Sequence, residues 1–197
     1  LGVLAPTFDI AKELLNSEYH IQLIRLAGML HDLGHPAFSH SGERFMPSWQ
    51  DVLETNRKQL PDYLLEYMQN KIKNILSKGK DPAKEQVRHE IFSILMIEKL
   101  LRDVYEDHPD LDIQVDPRDL IAVIIPDIEP ASNSKLNKYG IHRLIHELIS
   151  GELDIDRMDY LTRDSRQCGV VYGIFDISRI WDSLQTYHDP RDNRLHV

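Results

Sequence analysis

At 197 residues the chain is long enough to bury one core without disulfide support. Its one cysteine, Cys168, excludes an internal bridge and points to a reducing, cytoplasmic setting in which the thiol packs rather than reacts. A net charge of −9, from 32 acidic and 23 basic residues, argues against a broad surface for tracking nucleic acid. The longest apolar run, Leu120 to Ile125, is too short to cross a bilayer, so no membrane partner is expected.

Apolar residues recur at helical spacing along most of the chain, as in Leu23, Leu26, Ala27 and Leu30, and again in Ile91, Ile94, Leu95 and Leu101. The pattern predicts an all-α fold with helices near residues 7–15, 18–33, 61–77, 87–105, 117–125, 141–150, 155–167 and 176–187. Residues 46–86 hold the breakers Pro47, Pro61, Gly79 and Pro82, and read as an insertion between core helices. Its lysines at 71, 73, 78, 80 and 84 read as a solvated face, because no interleaved aromatic platform accompanies them. Asp189-Pro190-Arg191 is a turn signal, and Arg194-Leu195-His196-Val197 suggests a short strand or β-hairpin at the C-terminal end.

Chemistry concentrates first in His31-Asp32-Leu33-Gly34-His35-Pro36-Ala37-Phe38-Ser39-His40-Ser41-Gly42-Glu43, directly after an amphipathic helix. An imidazole and a carboxylate at a helix end can converge on one divalent ion, and Gly34 allows a sharp turn that brings later side chains back. The same pair can also simply decorate a helix terminus. A second signal is Asp154-Ile155-Asp156-Arg157-Met158-Asp159-Tyr160-Leu161-Thr162-Arg163-Asp164. On a helix Asp156, Tyr160 and Asp164 form one row, while Ile155, Met158 and Leu161 lie largely on the packing side. Clustered acids repel, and a bound cation would relieve the conflict; an ordinary solvated acidic face is the alternative. Between these lies Arg88-His89-Glu90, where His89 is either a proton-transfer group or a polar residue near a helix start. His142 and His146 have zinc-compatible spacing, but the H-E-x-x-H pattern is absent and the pair reads as structural.

Taken as an ordered series, these segments resemble the HD-domain superfamily, most closely its deoxynucleoside triphosphate triphosphohydrolase branch of dGTPase-like and sterile-α-motif/HD enzymes. The resemblance runs from Leu1 to about Ile180 and implies one HD-domain helical core over residues 1–197, interrupted by the 46–86 insertion. It implies one divalent metal ion, held by His31, Asp32 and Asp156. A further histidine ligand is expected two residues before a Leu-Gly-Val segment. Because the chain opens on Leu1-Gly2-Val3, that ligand is expected upstream, in a longer protein of which this is a core. An N/O donor set without thiolate favours manganese, magnesium, iron or nickel over a closed structural zinc site.

By the same resemblance His40 and His89 are the catalytic histidines, and Glu43 orients one of them. His35 and Arg157 are expected to meet phosphate oxygens, Tyr160 the sugar and Asp164 its 3′-hydroxyl. The implied activity is metal-dependent hydrolysis of dNTPs to deoxynucleoside and triphosphate. A homo-oligomer is compatible with the resemblance. Two alternatives remain open at the level of sequence: an HD phosphodiesterase or nucleotidase acting on another nucleotide, and a non-catalytic nucleotide-binding regulator.

Overall fold

The computed structural model describes residues 17–151, 154–183, 187–189, 191 and 194–196. Eight α-helices are present among them: α1 (Glu18–Leu30), α2 (Trp49–Asn56), α3 (Asp62–Ser77), α4 (His89–Asp107), α5 (Pro117–Ile124), α6 (Ile141–Ser150), α7 (Ile155–Cys168) and α8 (Ile177–Ser183). Two 3-10 segments, Ser39–Phe45 and Lys135–Gly140, and two strands, β1 (Tyr187–Asp189) and β2 (Arg194–His196), complete the order. The strands pair antiparallel, so the expected hairpin is present on an otherwise helical fold. Among the described residues no helix is long and apolar enough to cross a membrane.

The expected helix at 7–15 lies outside the described residues. The helix expected over 18–33 stops at Leu30, and residues 31–34 form a turn. An aspartate is unfavourable at a helix C-terminus, and Asp32 falls where the helix would otherwise continue. The helix expected over 176–187 is described over Ile177–Ser183. No helix was predicted at α2, where a local rule nonetheless applies. Ser48 and Asp51 form a reciprocal capping box, the serine side chain accepting from the Asp51 N–H and the aspartate accepting from the Ser48 N–H.

The chain divides into two compact units, residues 31–99 and residues 1–30 with 100–197. Within the first, the 46–86 insertion is a pair of packed helices, α2 and α3, whose two ends are clasped together. Trp49 N donates to Glu85 O at 3.0 Å and Val87 N to Pro47 O at 3.1 Å, around a bridge between Ser48 and Gln86. Leu64, Met68, Val52 and Val87 are buried there. Across from them Tyr63 donates its hydroxyl to Glu98 on α4 at 2.7 Å. The lysines of the insertion are mostly exposed, with Lys80 paired to Glu85 at 3.1 Å and Lys71 over the Tyr67 ring.

In the second unit α5 is buried along Leu120 to Ile124 and packs against α1 and α6, while α6 also meets α7 and β2. Pro117 opens α5, where its missing N–H costs nothing, and the Asp116 side chain caps it by accepting from Arg118 N. The core is tied by a buried carboxylate. Asp119 accepts from the Tyr19 hydroxyl at 2.8 Å, Ala131 N at 3.0 Å and the Ser134 hydroxyl at 2.6 Å. Burial, then the bond to Asp119, pushes the Tyr19 phenol well above its ordinary pKa, so it remains a donor at any physiological pH.

Removing that acceptor strands three donors, each costing roughly 1–3 kcal/mol when left unpaired. Asp119→Ala should therefore lower unfolding free energy by about 3 kcal/mol or more, and Tyr19→Phe by about 1.5 kcal/mol. Urea denaturation measures both, and equal losses would show that Asp119 is not the shared acceptor.

Candidate functional site

The site is assembled within the unit of residues 31–99 by the turn after α1, the 3-10 segment and the first turn of α4. The turn closes when His35 N donates to Asp32 O at 3.0 Å. Gly34 then lies so close to α4 that a Cβ there would sit 2.3 Å from His89 O and 2.3 Å from Ser93 N. Glycine is needed here for close approach, and its backbone is not left-handed. The left-handed residues are Phe38 (φ 68°) and Ser39 (φ 52°), which redirect the chain into the 3-10 segment carrying His40 and Glu43.

His89 is the hub. Its Nδ1 lies 2.5 Å from Glu43 Oε1 and its Nε2 3.3 Å from Asp32 Oδ1, so one imidazole bridges two carboxylates from different parts of the chain. The His35 ring stacks on it at 3.8 Å between centroids and 14° between planes, and His40 meets both rings edge-on. Glu43 Oε1 also lies 3.3 Å from His40 Nδ1. The carboxylate thus serves both histidines, where the sequence suggested that it orients one. Exposure separates the two, since the His89 side chain is 9% exposed and that of His40 73%. His40 is free to meet an incoming ligand, and His89 is fixed behind it.

Electrostatics follow from this packing. Burial raises the Glu43 carboxyl, but hydrogen bonds from His89 and His40 outweigh it and hold the group below its ordinary value. Burial, followed by the neighbouring His89, lowers His35 and outweighs the pull of Asp32, 3.5 Å away. His35 Nδ1 is buried without a hydrogen-bond partner.

Two donor triplets in this unit lie within 4.8 Å, His35/His40/His89 and Glu43/His89/Glu90. The near-parallel stack of His35 on His89 turns their in-plane lone pairs away from a common point, which disfavours the first as a ligand set. The His31–Asp32 pair fits better. Its Nε2 and Oδ1 atoms are 3.5 Å apart, near the edge of about 3 Å between neighbouring ligands of an octahedral ion with bonds of about 2.1 Å.

The remaining predicted residues belong to the other unit. Asp156 lies in the first turn of α7, whose N-cap Asp154 is buried and accepts from Arg157 N at 2.6 Å. Asp156, Tyr160 and Asp164 do share one helix, with Tyr160 and Asp164 exposed. The packing face differs from the one expected. Ile155 is exposed, Leu161 half-buried, and the buried positions are Met158 and Ser165. Ser165 accepts from Gly173 N at 2.8 Å, a role that its polar identity on a packing face could have signalled. Arg157 is exposed, and Arg163 pairs with Asp159 at 2.5 Å. His146 donates from Nδ1 to the Val123 carbonyl at 3.0 Å, a part-buried bond.

Residues 1–164 match the family described as HD domain. The chain belongs to the HD-domain family. The uncharacterized protein MG461 of Mycoplasma genitalium is 26% identical over 185 residues, covering 90% of this HD domain chain and 34% of that protein. The uncharacterized protein YwfO of Bacillus subtilis is 28% identical over 176 residues, covering 89% and 28%. The deoxynucleoside triphosphate triphosphohydrolase SAMHD1 of Homo sapiens is 25% identical over 163 residues, covering 80% and 22%. The chain therefore spans about a third or less of the length of these relatives.

Because the folded pKa of Glu43 is depressed, its contribution to stability is present above its ordinary value of 4.5 and is lost as pH falls through the folded value. In metal-free protein, Glu43→Gln should be less stable than the parent at pH 6, and the gap should close in acid. Denaturant titrations from pH 6 to pH 3 measure it; a gap that widens in acid contradicts the pairing.

Proposed function

We propose that this HD domain is the catalytic part of a metal-dependent phosphohydrolase that cleaves dNTPs to deoxynucleoside and triphosphate. The observation that carries the reading is the gathering of His35, His40, Glu43 and His89 beside the His31–Asp32 pair, a set holding both proton-transfer groups and metal donors. A pure binder has no need of an exposed histidine backed by a shared carboxylate. The likeness to SAMHD1, whose name gives deoxynucleoside triphosphates as its substrates, supports the choice of substrate.

In this reading His31 and Asp32 hold the metal, with Asp156 completing the set by the family resemblance. Bound there, a divalent ion supplies Lewis-acid polarisation of a phosphoryl oxygen. His35 and Arg157 meet phosphate oxygens, Tyr160 packs on the sugar, and Asp164 accepts from the 3′-hydroxyl. Water attacks the α-phosphorus in line as the bond to the 5′-oxygen breaks. His40, exposed and oriented by Glu43, gives its proton to that departing oxygen, while His89 holds Glu43 in place.

The test is a metal-supplemented assay of the full-length protein against the four dNTPs and four NTPs, with products separated by chromatography. Triphosphate release from dNTPs is expected, whereas pyrophosphate or orthophosphate indicates a phosphodiesterase or nucleotidase, and tight binding without turnover indicates a regulator. Asp156→Ala should abolish turnover and weaken metal binding by more than about 100-fold. Normal turnover in that variant removes Asp156 from the ligand set.

A further inference from the structure

One polar side chain of this unit has no place in the chemistry described above, yet is wholly enclosed. Ser93 lies on α4, one turn after His89, and is 0% exposed among Ile91, Ile94 and Ile97, all themselves buried. An alanine or valine would suit such a face better unless the hydroxyl is used. It is used once across the fold, accepting from Gly34 N at 2.9 Å in a buried bond. Gly34 is the centre of the turn that carries Asp32 on one side and His35 on the other.

We infer that Ser93 is a positioning residue for the reaction, a latch that fixes the Asp32–His35 turn in register with His89. The inference rests on the function proposed above. Two observations specify it. First, two side chains of the turn contact the same imidazole, Asp32, two residues before Gly34, at 3.3 Å and His35, directly after it, by ring stacking at 3.8 Å. Second, the Gly34 backbone has no room to adjust inward, since the space where a Cβ would lie is already filled by His89 O, Ser93 N and Phe92 Cβ. The turn can only move outward, and the bond to Ser93 is what opposes that motion. Without the hydroxyl, the Gly34 N–H is left buried and unpaired, and the turn must lift to reach water. Asp32 and His35 then leave His89 together.

Such a shift should act on the chemical step more than on binding, because it displaces Asp32 and His35, proposed above to hold the metal and meet the reacting phosphate, while the contacts proposed for Arg157, Tyr160 and Asp164 come from another element. Displacement of reacting groups by about 1 Å can cost roughly 100-fold in rate. In the full-length protein, Ser93→Ala should lower kcat by between about tenfold and 100-fold, with KM rising by a clearly smaller factor as the His35 contact weakens. Ser93→Thr, which keeps the hydroxyl, should recover most of kcat. Ile97→Val serves as the control, since it trims the same buried helix face without touching the turn and should retain parental kcat at a comparable loss of Tm.

Hydrogen exchange of the parent protein gives a second measurement that does not depend on any variant folding. The Gly34 amide should exchange as slowly as the core amides of α4, and fast exchange there overturns the latch. Undiminished kcat in Ser93→Ala, or an equal loss in Ile97→Val, also overturns it. Absence of turnover in the parent protein against every nucleotide would instead sink the reading of function on which the latch depends.

Discussion

One imidazole between two carboxylates organises the unit of residues 31–99. The nitrogens of His89 face opposite ways from a rigid ring, so engaging both demands that Asp32 and Glu43 approach from two sides. That demand shapes the chain between them. The turn must press its glycine onto α4, and the backbone must then reverse through Phe38 and Ser39 in left-handed conformations, which cost a non-glycine residue energy. Strain of this kind persists only where the surroundings hold it, and here the 3-10 segment delivers Glu43 to the hub.

The insertion, which reads in sequence as an interruption, contributes to the same end. Its clasp joins Pro47 and Ser48 to Gln86 and Val87, residues that stand shortly after Glu43 and just before His89. Met46 N donates to Glu43 O at 2.9 Å, so the chain passes from the carboxylate directly into the clasp. Closing the excursion therefore holds its two flanks, and the groups they carry, near one another. Helices α2 and α3 can lengthen or vary at little entropic cost, provided the clasp is kept.

A recurring local device appears in each unit. Ser93 accepts the amide of Gly34, and Ser165 accepts the amide of Gly173, whose own missing Cβ would meet Leu161 O and the Ser165 hydroxyl. In both cases a glycine lets a loop lie directly on a helix that carries proposed site residues, and a buried serine satisfies the backbone group so enclosed. A small residue alone would permit the approach but leave an amide without a partner. The serine alone would find a side chain in the way.

From sequence alone came the all-α class, seven of the helices now described, the terminal hairpin and the residue types of the site, because apolar periodicity and short-range motifs are local properties. The placement of Asp156, Tyr160 and Asp164 on one helix followed from spacing in the same way. What local rules could not reach was any statement about which distant groups share an atom. That Glu43 serves two histidines, that His89 also faces Asp32, and that Gly34 is required by the backbone of α4 depend on contacts across 46, 57 and 59 positions. Of the two helices in the insertion, α2 was missed because breakers mask short amphipathic segments, although its capping box was there to be read. Ile155 was assigned to the packing face by periodicity, yet burial is decided by what a helix packs against. Tertiary structure alone supplies that neighbour.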